Sequence, residues 1–230
     1  ESSGKEGKGI VPIHGEPLAS PGVYGEDRLF VYLRRGGRYD RKANFLRKAG
    51  QPILTLDIQD NSTIGSEFYK WEVAISTACS IIGVNPFDQP DVQDSKNRTI
   101  AKISYFKTHH SFDESQPAFE EQGIFLYDIK PILGEQLRDH IVRFLSSGKP
   151  GDYVAINAYL SRDRNTDATL LRLRTWIRAK TRLATMVGFG PRFLHSTGQL
   201  HKGGANNGLF LVITADPVND VEIPQEGLTF

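Results

Sequence analysis

The chain has 230 residues, of which 39% are hydrophobic and 24% are charged. This composition is typical of a globular protein with one large domain or two small ones, and it excludes a disordered or fibrous chain. The 28 Lys and Arg residues nearly balance the 27 Asp and Glu residues, so the chain as a whole has no cationic field that would attract nucleic acid. Nucleic acid is therefore not an expected partner.

The single cysteine, the absence of long apolar runs and the first residue of the sequence indicate the compartment and the kind of chain. Cys79 lies among apolar neighbours in AISTACSII, which predicts a buried thiol and a reducing, cytoplasmic environment. No apolar run approaches the ~18 residues of a membrane-spanning helix, and no secretory signal opens the chain, so no membrane is expected as a partner. The chain begins with Glu1 and its only methionine is Met186, so we expect it to be a fragment of a longer polypeptide.

The first half alternates short apolar segments with amphipathic ones. Residues 9–13, 29–33 and 52–57 predict three buried strands. Residues 39–49 predict an amphipathic helix, and residues 65–82 predict a long core helix because their apolar positions recur every three or four residues. This half therefore follows a strand, helix, strand rhythm.

A turn and a second helix follow. In NPFDQP, Asp88 is the expected N-cap and Pro90 the first-turn proline of a helix over residues 91–106. Few aliphatic residues occur over 108–123, which predicts a linker or a surface excursion.

The second half repeats the alternation. Its predicted elements are a strand at 124–126, a helix at 129–146, a strong strand in KPGDYVAINAYL, a helix at 163–180, a strand at 183–187, a glycine-rich loop at 188–207 and a strand at 208–215. Strands and helices of these lengths favour an α/β fold, a three-layer sandwich with a mostly parallel sheet and helices on both faces. Ligand sites are then expected at the carboxyl ends of the strands. We expect three parts, at 1–107, 108–123 and 124–230, the last packed on the first.

The opening segment ESSGKEGKG combines a carboxylate, hydroxyls, lysines and glycines, so it could bind a phosphate. It does not fit the G-x-x-x-x-G-K-[ST] phosphate loop. A solvated, mobile terminus explains its composition as well.

The segment NPFDQPDVQDSK places Gln89 and Lys96 seven residues apart, which is two helical turns and about 10 Å along one face. An amide and an amine so placed could hold a polar ligand between them. Alternatively, Gln89 caps the turn and Lys96 is one more exposed lysine.

The segment GFGPRFLHSTGQLHKGGANNG contains His195 and His201 but no cysteine or acidic residue, so a metal site is not favoured. The adjacent pair His109 and His110 is a weaker metal candidate still, because neighbouring side chains point apart. Two cations of the glycine-rich segment, Arg192 and Lys202, could contact an anion, or the segment could be a connector that folds over a sheet edge.

Two of these segments together resemble motifs of a known enzyme family. ESSGKEGKGI resembles the ESxGK loop, and GVNPFDQPDVQDSK resembles the FDQ-x-x-V-x-x-x-K helix, both of which mark the second half of glucose-6-phosphate isomerase. The later segments PGDYVAINAYL and GFGPRFLHSTGQLHKGG look like the C-terminal extension of bacterial isomerases that are fused behind a transaldolase. The resemblance implies a flavodoxin-like sugar-isomerase domain with an α/β extension, in a bifunctional parent chain.

The resemblance also implies roles for particular residues. Glu1 matches the family's base, which moves a proton between C1 and C2 of an open-chain sugar phosphate through a cis-enediol. Lys96 matches the lysine that assists ring opening, and Gln89 matches a substrate-contacting glutamine. No metal or organic cofactor is implied.

One position departs from the family pattern. The family has a ring-opening histidine about thirty residues after the base, in a GQH-type segment, whereas this chain has Asp27 in the sequence Gly25-Glu26-Asp27-Arg28. An aspartate is a poor acid at neutral pH unless burial raises its pKa. Alternatively, Asp27 only pairs with Arg28 or Arg34 at the surface. In the family this residue comes from the neighbouring subunit, which implies a homodimeric parent.

The family's phosphate-binding loops lie in a first sugar-isomerase domain, and no such domain precedes Glu1 in this sequence. We therefore expect this chain to hold half a site and to have little activity alone. Two other functions are open: a non-catalytic sugar-phosphate sensor, and an aldose-ketose isomerase for another sugar phosphate. The extension could also be a docking module that contacts a partner through the loop at 188–204.

Overall fold

The computed structural model describes residues 1–112, 115–216, 221–224 and 228–229. Its helices and its parallel sheets confirm the prediction of an α/β fold. Within these described ranges, no helix is both long enough and apolar enough to cross a membrane.

The first half contains two parallel strands and three helices. Strand β1 pairs in parallel with β2 over its whole length, from Phe30 opposite Ile53 to Arg34 opposite Asp57. The elements are β1 (Phe30–Arg34), α1 (Asp40–Lys48), β2 (Ile53–Asp57), α2 (Ile64–Ile82) and α3 (Pro90–His109). All five were predicted, but the N-cap of α3 is Gln89 and not Asp88.

The second half is organised around a three-stranded parallel sheet with the order β6-β5-β7. A short hairpin precedes this sheet, and another follows it. The elements are β3 (Phe119–Glu121), β4 (Ile124–Leu126), α4 (Leu137–Ser146), β5 (Tyr153–Tyr159), α5 (Arg164–Thr181), β6 (Ala184–Phe189), α6 (Ser196–Gly203), β7 (Gly208–Thr214), β8 (Glu222–Ile223) and β9 (Leu228–Thr229).

Four predicted segments differ from the structure. Residues 9–13 form no strand, and Val11 and Ile13 instead pack on a face of the second sheet. Helix α4 begins only at Leu137, because a capping box between Gln136 and Asp139 fixes its start. The predicted linker 108–123 includes the end of α3 and strand β3, and the predicted loop 188–207 contains helix α6.

Strand β5 forms the centre of the main core. Its side chains alternate between two faces, as a pleated strand requires. Val154, Ile156 and Ala158 lie in a cluster with residues of α4 and α5. Tyr153 and Ala155 lie in a second cluster, on which Val11 and Ile13 pack. Helices therefore cover one face of the sheet, while the irregular opening segment covers the other.

Helix α5 holds this opening segment through a row of arginines. Arg174 and Arg178 are four residues apart on one face of the helix, and Arg182 is the C-cap residue that follows its last turn. Each donates a hydrogen bond to a backbone carbonyl of the opening segment. The pairs are Arg174 with His14 at 2.8 Å, Arg178 with Pro17 at 2.8 Å, and Arg182 with Gly22 at 2.9 Å.

A buried carboxylate completes the contact. Glu16 lies 2.8 Å from the Arg178 guanidinium and 3.7 Å from that of Arg174, and it accepts a hydrogen bond of 2.5 Å from the Thr185 hydroxyl of β6. Burial lowers the pKa of Arg174, and Glu16 opposes that shift. The opening residues thus pack on the second unit, and the boundaries at residues 107 and 123 stay a prediction.

We predict that Arg174→Met destabilises the fold by about 3 kcal/mol, because it removes a buried guanidinium that donates hydrogen bonds to the His14 and Thr185 carbonyls and leaves both without this donor. Chemical unfolding of the 230-residue chain measures the effect. The matched control is Arg172→Met, two residues away on the other face of the same helix, where the arginine is exposed and its side chain hydrogen-bonds Thr169. The control should change stability by less than about 0.5 kcal/mol. Equal effects of the two variants would contradict the structural role of Arg174.

Candidate functional site

A cavity of about 290 Å³ opens at the carboxyl ends of β5 and β6. This is the edge at which parallel sheets place their ligand sites. The side chains that matter for its chemistry are Glu1, Asn157, Arg162, Arg192, Thr197 and His201. The cavity therefore combines the first residue of the chain with residues more than 150 positions away.

The opening loop has a defined conformation that positions Glu1. Lys5 and Lys8 exchange backbone hydrogen bonds of 3.0 and 2.9 Å, and Glu6 and Gly7 between them both have positive φ, as a type I′ turn requires. The buried Ser3 hydroxyl accepts a hydrogen bond of 2.9 Å from the Ile10 amide. Glu1 thus precedes a closed turn, in contrast to the mobile terminus that composition alone permits.

Lys5 joins this loop to the NPFDQP turn. Its side chain is only 4% exposed, and its ammonium group forms an ion pair of 3.0 Å with Asp88. The same group donates hydrogen bonds to the carbonyls of Asn85 and Ser2. A buried ammonium requires such partners, since an unpaired buried charge is costly. The two segments that carry the family resemblance are therefore bonded to each other.

Gln199 of α6 makes a second junction between the same segments. Its buried side-chain amide donates to the Gly4 carbonyl at 2.8 Å and to the Asp91 carboxylate, while its carbonyl oxygen accepts from the Asp91 amide at 3.0 Å. Gly4 allows this close approach, because a Cβ there would lie 2.3 Å from the Cα of Leu200. Helix α6 thereby packs between the opening loop and α3.

Glu1 and His201 face the same cavity. The Ser196 hydroxyl donates a hydrogen bond of 3.1 Å to the Glu1 carboxylate. Burial lowers the pKa of His201 from 6.5 to about 4, an effect that the Glu1 carboxylate opposes and the Lys202 ammonium reinforces. The imidazole is therefore neutral at neutral pH. A carboxylate that accepts protons and an uncharged imidazole are thus available side by side.

The imidazole of His201 has one nitrogen in contact and one without a partner. Nδ1 lies 3.5 Å from the Asn157 amide nitrogen, a long contact that favours the tautomer with Nδ1 as the acceptor and the proton on Nε2. Nε2 is buried and has no hydrogen-bond partner among the described residues. Buried polar groups are normally hydrogen-bonded, so this unpaired nitrogen is an exception within the described residues.

Three of the residues singled out by sequence lie outside the cavity lining. Gln89 is exposed at the start of α3, and Lys96 is exposed further along that helix. Asp27 forms an ion pair with Arg28, the surface contact considered as its alternative, and Arg28 in turn donates to the Arg182 carbonyl at 3.0 Å. The resemblance places the residue at the Asp27 position in a neighbouring subunit, so its role stays a prediction.

Sequence patterns did not indicate that His201 lines the site or that Ser196 and Gln199 hold the opening loop beside it. The histidines of this segment were weighed there only as metal ligands, whereas His195 is exposed and His201 faces the cavity. Over the described ranges there is no group of three or more His, Cys, Asp or Glu residues that could hold a metal ion. The sequence signal for this part of the site was the segment HSTGQLHKGG, in which most side chains can form hydrogen bonds.

Comparison with known proteins identifies relatives of part of the chain, all of them named glucose-6-phosphate isomerase. The protein of Streptococcus equi subsp. zooepidemicus is 37% identical over 74 residues, which cover 32% of this chain and 14% of that protein. The protein of Latilactobacillus sakei is 33% identical over 76 residues, with the same coverage of 32% and 14%. That of Leptospira biflexa is 30% identical over 143 residues, covering 45% of this chain and 32% of that protein.

The matches leave much of each relative outside the comparison, since the chain spans 14% of the Streptococcus protein and 32% of the Leptospira protein. No protein-family profile matches the chain. No solved structure matches it either.

We predict that His201 makes stability depend on pH in a defined window. Between pH 6.5 and about 4 the unfolded chain binds a proton at this imidazole and the folded chain does not. The free energy of unfolding should therefore be unaffected by this group above pH 6.5 and should fall as the pH drops toward 4.

Unfolding curves measured at several pH values test this, with His201→Gln as the variant and His110→Gln as the control. His201→Gln should flatten the pH dependence, whereas the exposed His110 should leave it unchanged. An NMR titration in which the His201 ring protonates near pH 6.5 would contradict the prediction.

Proposed function

We propose, on the premise that part of this chain is related to glucose-6-phosphate isomerase, that the chain is the C-terminal part of an enzyme that interconverts glucose 6-phosphate and fructose 6-phosphate. The reaction is an aldose-ketose isomerisation by proton transfer between C1 and C2. Glu1 is the proposed base, which removes the proton from one carbon and returns it to the other. C1 is reduced as C2 is oxidised within the same molecule, so there is no net oxidation or reduction and the proposed chemistry needs no external oxidant or reductant.

The observation that carries this proposal is the position of Glu1. The two family-like segments bond to each other through Lys5, and the Glu1 carboxylate faces a cavity that also holds an uncharged imidazole. A sugar that enters the cavity meets a carboxylate and a neutral hydrogen-bond donor together. Proton transfer needs the carboxylate, and charge that develops on a sugar oxygen needs the donor.

The geometry adds His201 to the proposed site residues. Its neutral imidazole lines the cavity together with Glu1, and the Ser196 hydroxyl limits the orientations of the Glu1 carboxylate. Lys96 and Gln89 remain proposed substrate contacts. The ion pair between Lys5 and Asp88 supports that role, because it fastens the turn just before Gln89 to the loop that carries Glu1.

Large apolar side chains on α2 and in the turn that follows it support the proposal that further parts of the parent protein pack here. Phe87 is 85% exposed, Ile81 is 80% exposed and Phe68 is 66% exposed. Exposed apolar groups of this size are typical of surfaces that another unit covers. We propose that a first sugar-isomerase domain of the parent covers these side chains. We also propose that the parent is a homodimer in which a second copy supplies Asp27, and that it contains a transaldolase domain.

We predict that Glu1→Gln in the full-length parent lowers the turnover of fructose 6-phosphate to glucose 6-phosphate by at least ~100-fold, as removal of a general base should. A coupled assay that detects glucose 6-phosphate measures it. The matched control is Glu6→Gln, because Glu6 lies on the same loop but is exposed and outside the cavity lining. It should retain the activity of the wild type. The 230-residue chain alone should show little turnover.

Two results would change the conclusion. If the parent binds fructose 6-phosphate with saturation but does not convert it, the protein is a sugar-phosphate sensor. If Glu1→Gln retains full activity, the base is another residue and the assignment of Glu1 is wrong.

A further inference from the structure

Two arginines line the cavity, and they differ in how their charges are compensated. The guanidinium of Arg162 lies 3.3 Å from the Asp167 carboxylate and 5.0 Å from the centre of the Phe189 ring. Asp167 therefore compensates the charge of Arg162, whose side chain is 55% exposed. Arg192 forms no ion pair with any Asp or Glu in the described parts of the chain, although it lines the same cavity.

The backbone that carries Arg192 is held in place on both sides. Before it, Gly190 lies so close to Tyr159 that a Cβ would be 2.4 Å from the ring. After it, the buried Phe193 contacts the same Tyr159 ring edge to face, with the ring centres 5.3 Å apart. Tyr159 at the end of β5 thus packs against the turn on both sides of Arg192, whose own side chain is exposed at the cavity.

The carboxylates of the cavity do not compete for this guanidinium. Glu1 accepts from the Ser196 hydroxyl, and Asp167 accepts from Arg162. The positive charge of Arg192 is therefore available to an anion that enters from outside. A guanidinium binds phosphate through two parallel N–H donors, which gives both strength and orientation.

We propose that Arg192 binds the phosphate group of a sugar phosphate in this cavity, so that the chain carries an anion subsite of its own. The proposal rests on the proposed function for the identity of the ligand. The cavity that Arg192 lines has a volume of about 290 Å³, which is small for a ligand pocket and suits a phosphorylated monosaccharide. The sugar then extends from Arg192 toward Glu1 and His201, where the carbon atoms react.

This subsite changes what is expected of the isolated chain. A phosphate anchor that lay only in another domain would leave the chain unable to bind the ligand. With Arg192 as an anchor, the 230-residue chain binds a sugar phosphate even though it does not turn the ligand over.

Isothermal titration calorimetry on the 230-residue chain tests the proposal with glucose 6-phosphate, glucose and inorganic phosphate as probes. We expect glucose 6-phosphate to bind, inorganic phosphate to bind more weakly and glucose to give no measurable heat. Arg192→Gln should weaken the binding of glucose 6-phosphate at least tenfold, and Arg192→Lys should weaken it less, because lysine keeps the charge but loses the paired donors.

The matched control is Arg172→Gln, which removes an exposed arginine outside the cavity lining and should bind as the wild type does. Thermal unfolding of each variant shows whether it is folded. If Arg192→Gln does not fold, Arg192→Lys is used instead. An affinity of Arg192→Lys for glucose 6-phosphate equal to that of the wild type would then contradict the proposal. Equal affinities of Arg192→Gln and Arg172→Gln, or absence of binding to the wild-type chain, would overturn the subsite.

The outcomes separate this proposal from the isomerase assignment. If phosphate ligands bind through Arg192 but the full-length parent does not isomerise hexose phosphates, the subsite stands and the proposed function fails. If the parent isomerises with dependence on Glu1 while Arg192→Gln leaves its KM unchanged, the function stands and the subsite fails.

Discussion

A row of buried guanidinium groups on α5 determines where the first part of the chain lies. Arg174 and Arg178 bind backbone carbonyls of the opening segment and share the buried carboxylate of Glu16. Charges at this depth are tolerated only when they are paired, so the contact specifies one path for the segment. Along that path Val11 and Ile13 cover the open face of the sheet. The position of Glu1 at the cavity follows from this path.

The candidate site is assembled from three segments that are far apart in sequence. Lys5 binds the turn before α3, Gln199 binds both Gly4 and Asp91, and the cavity forms where these contacts bring the opening loop to the ends of β5 and β6. Each junction is a hydrogen-bonded polar group in a buried setting, for which a missing partner is costly. The same contacts that hold the units together therefore also orient the reactive groups.

Sequence patterns predicted the regular elements well where periodicity was strong. The helices α1, α2, α3 and α5 and strand β5 occur close to their predicted bounds, because amphipathic spacing and an apolar run define them locally. Residues 9–13 look like a strand by composition but find no strand partner, and their apolar side chains are used for packing instead. Residues 196–203 look like a loop because of their glycines, yet burial of Gln199 and Leu200 stabilises a helix there.

By itself the sequence determined the α/β class, most helices and strands, and the two segments that link part of the chain to a family of isomerases. These are properties of short stretches, which the spacing of side chains encodes directly. Only the tertiary structure decided that His201 and Arg192 share a cavity with Glu1 and that Asp27, Gln89 and Lys96 lie outside its lining. The reason is that these contacts depend on how the opening segment crosses the sheet, and that path is set by buried charge pairing between residues about 160 positions apart.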